Sequence, residues 1–465
     1  MARCFCTVLL YYKRRVLSME TKMTEGRPIS LILRFMFPLL LGNVFQQLYN
    51  MCDTIIVGRY VGDGALAAVG ATGTIFFLVI GICNGMATGF TVLTSQKYGA
   101  GDQDGVRLSV TNGIFLSIIV TVVMTILSLS FMKQLLHLMQ TPEDIYADAY
   151  AYISTICMGV VAMVFYNLFS SYLRAIGNSR MPLIFLIISA LLNIVLDLVF
   201  VIAFQLGVSG AAWATNISQG VSAVLCGVYI FRKVEALRPE RKHWHFHKPS
   251  VRKQLQIGVP MSLQFGITAS GTMVMQTAVN SFGSVAVTGF TAASKVQNLL
   301  TQGMMSIGQT MAAYSGQNFG KLELERVHQG TKDALKISLV YSLAVGVAGV
   351  LLLPILMQLF FDTGVDIAPY LPWAKPYFYM CVVNYLPLSM IFIYRNTLQG
   401  CGYGMTAMTL GIMELFARLT TAGLSMALHS YYLAAAADPA AWLTAGIFAL
   451  CLYLHIRRKG FGIPA

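Results

Sequence analysis

The sequence predicts an all-α polytopic membrane protein with twelve transmembrane helices in two pseudo-symmetric six-helix bundles. Of its 465 residues, 56% are hydrophobic and only 11% are charged, whereas soluble domains carry about 25% charged residues. Apolar stretches of roughly 20 residues, the length of helix that crosses a bilayer, recur from residue 30 to the C-terminus. Several motifs in the first half also return in the second, which indicates an internal duplication.

Hydropathy, read together with glycine, proline and charge breaks, places the twelve spans. They cover residues 31–58, 65–94, 108–132, 149–173, 181–204, 208–231, 254–281, 286–314, 334–361, 372–395, 404–428 and 440–456. We expect the boundaries of each span to be approximate, because charge and turn residues mark helix ends only loosely.

The distribution of basic residues predicts the orientation. With the N-terminus inside, 26 of the 32 Lys and Arg side chains fall in the N-terminal arm, the even-numbered loops and the tail, and one of them, Arg395, falls in the tenth loop. The odd-numbered loops hold Arg59, Lys133 and Lys375, and Arg34, Lys295 and Arg418 fall within spans. Because cytoplasmic loops are enriched in Lys and Arg, both termini are predicted to be cytoplasmic. The net charge of +13 thus indicates topology and contact with anionic lipid, not nucleic-acid binding.

The second half repeats features of the first at a spacing of 221 or 222 residues. Pro38 recurs as Pro260, and Gly62 recurs as Gly283. The run Ser95-Gln96-Lys97-Tyr98-Gly99 recurs as Gly316-Gln317-Asn318-Phe319-Gly320, and residues 174–177 are loosely echoed at 399–402. Six spans per half is an even number, so both halves enter from the same side, and the binding cleft is expected between them.

These boundaries predict five segments. They are a cytoplasmic arm at 1–30, an N-terminal six-helix lobe at 31–231, a basic cytoplasmic linker at 232–253, a C-terminal six-helix lobe at 254–456 and a cytoplasmic tail at 457–465. The arm places an apolar run before Lys13, the reverse order of a cleavable signal peptide. An over-extended start, with Met19 or Met23 as the true beginning, is left open.

Acidic residues inside the spans are the strongest functional candidates, because each costs several kcal/mol unless it is paired or hydrated. Asp53 ends a polar stripe on span one, where Asn43, Gln46, Asn50 and Asp53 fall within about 80° of arc. Asn193 and Asp197 are four residues apart on span five and share a face, and Thr215 follows on span six.

Depth along the helices groups these side chains. Asp53 lies about 8 Å from the outer end of span one, and Asp197 and Thr215 each lie about 10 Å from the outer ends of their spans. Two carboxylates with amide and hydroxyl oxygens at one level can hold a proton or a hard cation such as Na⁺. The sequence therefore predicts a cation-coupling site at Asp53, Asn193, Asp197 and Thr215, with purely structural hydrogen bonding as the alternative.

The second half carries different embedded charges. Glu414 and Arg418 are four residues apart on span eleven, where a structural ion pair is the leading interpretation. Lys295 lies in span eight, where it can either snorkel to the surface or point inward. Asp53 maps onto Met275 under the repeat, so the coupling site is predicted to be confined to the first half. Whether Lys295, Glu414 and Arg418 take part in transport is left open.

Motifs for other chemistry are missing from the sequence. No Gly-x-x-x-x-Gly-Lys-Ser/Thr stretch is present, so nucleotide hydrolysis is not expected, and no His-Glu-x-x-His or Gly-x-Ser-x-Gly motif indicates an enzyme. His243, His245 and His247 alternate in the linker without a fourth ligand or a thiolate nearby, so they predict no metal site. We predict no cofactor, and no metal beyond Na⁺ at Asp53 and Asp197.

Several motifs together resemble the multidrug and toxic-compound extrusion (MATE) family across nearly everything after residue 28. They are Pro38 followed by Asp53-Thr54-Ile55-Ile56-Val57-Gly58, then Ala65-Leu66-Ala67-Ala68-Val69-Gly70, Gln96-Lys97-Tyr98-Gly99-Ala100-Gly101, Leu173-Arg174-Ala175-Ile176-Gly177-Asn178, Leu192-Asn193-Ile194-Val195-Leu196-Asp197 and Gly207-Val208-Ser209-Gly210-Ala211-Ala212. Thr268 in span seven and the lack of an acid in span ten resemble the DNA-damage-inducible F branch.

The resemblance implies a rocker-switch antiporter that exports small organic, often cationic, compounds in exchange for protons or Na⁺. The family's first-half cation site matches this chain at Asp53, Asn193, Asp197 and Thr215. We expect a plasma-membrane location, contact with lipid, no nucleic-acid partner and a monomeric state. A lipid-linked precursor flippase of the same superfamily and a non-transporting membrane receptor or scaffold are the alternatives.

Two further sets of residues are assigned to this mechanism. The substrate cavity is predicted to be lined by Asn43, Gln46, Tyr49, Asn50, Met275 and Tyr385, with Phe45 as a weaker candidate. Pro38 is predicted to be a hinge, because its missing N–H weakens span one at the point where cation binding would bend it.

Overall fold

The computed structural model describes residues 21–139, 141–361 and 365–462, which consist of helices joined by turns and short irregular segments and contain no β-strand. The α-helices are α1 Pro28–Tyr60, α2 Asp63–Gly99, α3 Gln103–Leu138, α4 Glu143–Met158, α5 Val160–Ala175, α6 Arg180–Asp197, α7 Gly207–Lys233, α8 Lys248–Asn280, α9 Ser284–Leu300, α10 Gln302–Gly320, α11 Leu324–Gln358, α12 Leu371–Val383, α13 Tyr385–Gly400, α14 Met405–Leu428, α15 Tyr431–Ala435 and α16 Ala437–Arg458. A π-helical turn, Leu198–Ala203, extends α6, and three short 3₁₀ turns complete the described residues.

Each of the twelve predicted spans overlaps one helical segment, formed either by one helix or by two helices in tandem. Seven helices in the described ranges are long and apolar enough to cross a membrane alone, and two bent pairs raise this number to nine. The other segments, α8, α9 with α10, and α14, are shorter or more polar, as expected for helices that line an interior. The predicted all-α membrane fold is confirmed.

Two of the predicted spans are broken in the middle. The axes of α4 and α5 differ by 46° around Gly159, and those of α12 and α13 differ by 52° around Asn384. Gly159 permits close packing, since a Cβ atom there would overlap the side chain of Asn216 on α7. The π-helical turn begins directly after Asp197, and such turns are frequent at functional sites.

The two largest clusters of apolar core residues each lie within one half of the chain. The first half contributes one cluster that includes Ile75, Ile153 and Val201. The largest cluster lies in the second half and includes Phe290 and Tyr377. A further cluster packs Phe35 and Leu39 of α1 against Ile307 and Met311 of α10, so the division into two lobes stays a prediction.

Glycine residues let the two halves approach each other closely along α2 and α8. A Cβ atom on Gly85 would lie 2.7 Å from Ser262 Cα. One helical turn further along α2, a Cβ atom on Gly89 would overlap the Gly258 backbone. Small residues at helix crossings allow close packing in membranes. The two halves therefore contact each other in the part of α2 that leads towards its C-terminal end.

The linker is shorter than predicted and is docked on the start of α3. Since α7 extends to Lys233 and α8 begins at Lys248, only residues 234–247 connect them. His243 Nε2 lies 2.9 Å from Asp104 Oδ1, and Thr111 Oγ1 donates to the His243 carbonyl oxygen at 2.9 Å. His243 thus has a structural role, holding the linker against α3. The side of the protein that carries this connection is called the linker side below.

The segment before α1 contacts both halves on the linker side. Thr21 N donates to the Gly177 carbonyl oxygen at 3.1 Å, and Met23 N donates to Gln317 Oε1 at 2.9 Å. The Met23 side chain is fully buried. Residues 1–20, which include Met19, lie outside the described residues.

Candidate functional site

Two buried carboxyl groups face each other in the first half. Asp53 on α1 and Asp197 at the end of α6 are close enough to interact electrostatically. Asp53 Oδ1 and both Asp197 oxygens are buried and accept no hydrogen bond from any described residue. No Lys, Arg or His within the described ranges forms an ion pair with either of them. Two facing carboxylates repel each other, so a bound proton or cation is required to stabilise this arrangement.

Amide and hydroxyl oxygens complete the group. Tyr49 on α1 donates its hydroxyl to Thr215 Oγ1 at 3.2 Å, and Asn193 Nδ2 donates to the same oxygen at 3.5 Å. Asn193 Oδ1 is buried without a partner among the described residues. The structure thus brings the four predicted coupling residues together, as their matched depths indicated. Tyr49, which was predicted to line the substrate cavity, is only 8% exposed and donates its hydroxyl to Thr215 within this group.

The helical geometry of the chain changes directly after Asp197. The chain leaves α-helical geometry at Leu198 and continues as a π-helical turn to Ala203. One extra residue per turn shifts the following side chains around the helix. Asp197 is therefore the last α-helical residue before the register changes, a feature that hydropathy cannot show.

Tyr152 on α4 belongs to the same site but was missed by sequence reasoning. Its side chain is buried and lies within electrostatic range of Asp53, Asp197 and Tyr49. An aromatic residue in an apolar span carries no distinguishing signal in sequence. The packing of α4 against the first-half core brings it within electrostatic range of the acids.

The polar stripe on α1 divides into two environments. Asn43 is half-buried and donates to Ser306 Oγ on α10 at 3.0 Å, a contact between the two halves. Gln46 and Asn50 are exposed, as is Phe45 at 38%. The exposed members are free to meet a solute, whereas Asn43 holds the halves together.

Met275 and Tyr385, which were predicted to line the cavity, lie in the apolar core of the second half instead. Met275 is 6% exposed and Tyr385 is 1% exposed. Tyr385 begins α13 immediately after the bend at Asn384, and its hydroxyl lacks a partner among the described residues. In this conformation neither side chain reaches open space.

The predicted ion pair between Glu414 and Arg418 is part of a larger buried network. Arg418 donates to Glu414 Oε2 at 3.2 Å and to Asp438 Oδ1 at 2.9 Å. Tyr377 donates its hydroxyl to Asp438 Oδ2 at 3.1 Å. Asp438 was missed because the last span was predicted to begin at residue 440, whereas α16 begins at Ala437. The network's two carboxylates exceed the single Arg418 charge by one, and Arg395 on α13 lies within electrostatic range of Glu414.

Lys295 is exposed on α9, where its ammonium group lies 5.6 Å from the centre of the Phe360 ring. Phe360 follows the C-terminal end of α11, so the lysine reaches towards the end of the bundle. This placement matches a side chain that extends to the membrane surface.

The charge count placed Arg395 in the tenth loop, and this was wrong. Arg395 lies inside α13, which continues to Gly400, and its side chain is half-buried. The error arose because a charged residue was taken as the end of an apolar span. The second half therefore holds an embedded cation at a position where no loop exists.

Reciprocal hydrogen bonds join the two halves on the linker side. Gln96 Nε2 donates to the Gly400 carbonyl oxygen, and its repeat partner Gln317 donates from Nε2 to the Ala175 carbonyl oxygen, each at 2.8 Å. These four residues, with Gly99 and Gly320, form what we call the linker-side gate. The repeated motifs thus bind across the symmetry axis.

Comparison with known proteins identifies the family. A family model described as MatE matches residues 38–199 and, a second time, residues 260–422. The chain belongs to the MatE family. The two matches begin at Pro38 and Pro260, the positions that the internal repeat pairs. The resemblance inferred from the motifs is confirmed at the level of the family, and the chain is a multi-pass membrane protein.

Curated members of the MatE family align over about two thirds of their length. The probable multidrug resistance protein YpnP of Bacillus subtilis is 29% identical over 307 residues, which are 64% of this chain and 66% of that protein. The probable multidrug resistance protein NorM of Thermotoga maritima is 27% identical over 322 residues, 68% of each chain. The aligned region therefore covers just under two thirds of the length of YpnP.

The fold is also that of solved MatE-type structures. A transporter of the MOP superfamily from Pyrococcus furiosus has a TM-score of 0.87 at 22% identity, covering 94% of this chain and 98% of that one. The binding pocket of that transporter is described as having reverse polarity, which suggests a different function for it. At this level of identity the likeness shows the fold alone.

Proposed function

We propose that this chain is a secondary active multidrug efflux antiporter that exports small organic, often cationic, compounds in exchange for protons or Na⁺. The observation that carries the proposal is the buried pair Asp53 and Asp197, whose oxygens lack donors among the described residues. Such a pair is expected to bind a cation from one side of the membrane and to release it on the other. The names of the bacterial relatives as multidrug resistance proteins support efflux as the direction.

The contact between the halves supports a rocker-switch mechanism. The halves meet at the linker-side gate, while Gln46 and Asn50 on α1 stay exposed. In this mechanism the cation binds to Asp53, Asn193, Asp197 and Thr215 in the state shown here, and the organic compound occupies the space between the halves. We further propose a plasma-membrane location with both termini cytoplasmic, a monomer, and membership of the DNA-damage-inducible F branch.

Efflux from proteoliposomes tests the function. Vesicles loaded with a fluorescent organic cation are given an inward proton gradient, an inward Na⁺ gradient or neither. We expect at least one gradient to speed release about tenfold or more over protein-free vesicles. Release that is no faster than in protein-free vesicles, or that ignores both gradients, would contradict antiport.

A second prediction concerns Pro38, which is buried inside the continuous helix α1. Its ring removes one backbone hydrogen bond, which weakens the helix at that turn. We expect Pro38→Ala to slow gradient-driven efflux several-fold because α1 bends less readily, with normal insertion and an unchanged or raised melting temperature. Pro260→Ala, on the matching position of α8, is the control. Equal slowing by both variants would argue against a hinge specific to α1.

A further inference from the structure

The second half holds a cation whose hydrogen-bonding groups lack acceptors among the described residues. Six Lys and Arg side chains within the described ranges are buried or half-buried. Five of them donate to oxygen atoms: Lys97 to Asp102, Arg107 to Glu240, Arg174 to Ser170 and Ser171, Arg326 to Asn318, and Arg418 to Glu414 and Asp438. Arg395 donates no hydrogen bond to any described residue. Its guanidinium group lies 5.3 Å from the centre of the Phe392 ring.

The acid that interacts most directly with Arg395 is already bound to another arginine. Arg395 is in electrostatic range of Glu414 on α14, but Glu414 Oε2 accepts a hydrogen bond from Arg418 at 3.2 Å. Arg418 also donates a hydrogen bond to Asp438. The guanidinium of Arg395 thus keeps five N–H donors that the described residues leave without an acceptor.

The face of α13 that carries Arg395 is packed against the protein. Leu388, Arg395 and Gln399 lie on one face of α13, at spacings of seven and four residues. Leu388 is 7% exposed and Gln399 is 2% exposed. On α13, Phe392 and Asn396 flank Arg395 and pack against Gly308 of α10. Arg395 is thus half-buried on a face of α13 whose other residues are packed among the helices of the second half.

An arginine placed this way is costly without a partner and well suited to one kind of ligand. A charged side chain within a membrane span costs several kcal/mol unless it is paired or hydrated. The planar guanidinium presents its donors as a fork that matches both oxygens of a carboxylate or phosphate. The Phe392 ring packs against one face of the guanidinium group, so the N–H groups at the edge of the guanidinium remain available to a ligand.

We propose that Arg395 binds an anionic group, a carboxylate or a phosphate, on the exported organic compound. This proposal rests on the proposed efflux function and deepens it, since it assigns recognition of an anionic group to the second half, while Asp53 and Asp197 of the first half bind the driving cation. It follows that the preferred substrates include compounds with both a cationic and an anionic group. The two halves would then have opposite charges at their functional side chains.

A matched pair of fluorescent dyes tests this assignment in proteoliposomes. The probes are a zwitterionic rhodamine with a free benzoate and its methyl ester, which keeps the cation and lacks the carboxylate. Loss of a charge-assisted hydrogen bond in a desolvated site weakens binding by about tenfold or more. We expect Arg395→Gln to raise the KM for the free acid about tenfold, to leave the ester nearly unchanged, and Arg395→Lys to give an intermediate value.

The controls separate failure of this inference from failure of the proposed function. Lys375→Gln removes an exposed cation of the same half, at the start of α12, and should leave both probes unaffected. The inference would be overturned if Arg395→Gln raised the KM for the free acid and for the ester by the same factor. It would also be overturned if the wild type exported the ester but not the free acid. Export of neither dye by the wild type would instead count against the efflux function.

The last comparison varies the lipid composition of the vesicles. If the anion at Arg395 were a lipid phosphate, the effect of Arg395→Gln on both dyes would change between vesicles of neutral lipid and vesicles containing anionic lipid. We expect the selective loss of the acid to be the same in both lipid mixtures. Dependence on the lipid would overturn a substrate-binding role.

Discussion

Asp197→Asn and Asp53→Asn should each reduce gradient-driven efflux to nearly the rate of protein-free vesicles. Each variant removes one of two facing carboxylates whose oxygens lack donors among the described residues. One carboxylate with an amide neighbour no longer needs a cation to offset repulsion, so binding of the driving ion is lost. We expect the rate of coupled transport to fall by about two orders of magnitude or more, since the ion gradient can no longer drive export of the substrate.

Stability gives this prediction a second, independent readout. Replacing a buried unpaired carboxylate by a neutral amide removes an unfavourable charge, so we expect the melting temperature of each variant to stay constant or to rise. Asp148→Asn, at an exposed position on α4, is the matched control and should change neither the rate of gradient-driven efflux nor the melting temperature. Full coupled efflux in both variants would contradict the proposed site. A collapse of stability in both would indicate that the acids hold helices together.

Gly320→Ala and Gly99→Ala should prevent closure of the linker-side gate. A Cβ atom on Gly320 would overlap the Gln96 carbonyl oxygen, and one on Gly99 would overlap the Gln317 carbonyl oxygen. Forced overlap in a packed region costs about 1–3 kcal/mol, and each 1.4 kcal/mol shifts an equilibrium about tenfold. We therefore expect the state open towards the linker side to become dominant and efflux to fall at least tenfold.

A native cysteine beside the gate can report this shift. Cys401 follows Gly400, whose carbonyl oxygen accepts from Gln96, and it is 4% exposed in the closed gate. In a protein with Cys401 as its only cysteine, Gly320→Ala should speed labelling by a water-soluble maleimide about tenfold. The control is Gly73→Ala on α2, where a Cβ atom would meet nothing within 4 Å. Labelling that is equally slow in all variants would show that the gate tolerates the added methyl group.

Much of the candidate site was accessible to sequence reasoning because of helical periodicity and depth. Asp53, Asn193, Asp197 and Thr215 were grouped by spacing along their spans, and the structure brings them together. Periodicity works here because a membrane helix has a fixed rise per residue and a fixed thickness to cross. The same reasoning failed for Arg395, where charge was used to end a span, and for Asp438, which lies just before the predicted start of the last one.

The positions of residues that depend on helix packing could not be predicted from the sequence, for a different reason. Tyr152 reaches the acids because α4 folds against the first-half core, and Met275 and Tyr385 are buried because the second-half helices close around them. Neither outcome follows from the local pattern, since apolar and aromatic side chains face lipid, core or cavity with the same sequence signature.

The sequence alone determined that the chain is a duplicated bundle of membrane helices with acids in its first half, because hydrophobic length, the bias of basic residues and the repeated motifs are properties of the chain itself. Only the tertiary structure decided which charges are paired. Arg418 donates hydrogen bonds to two acids, whereas Asp53 Oδ1 and both Asp197 oxygens have no hydrogen-bond partner, and Arg395 donates no hydrogen bond, among the described residues. Pairing depends on the contacts between distant helices, and it is these unpaired groups that identify where ions and substrates are expected to bind.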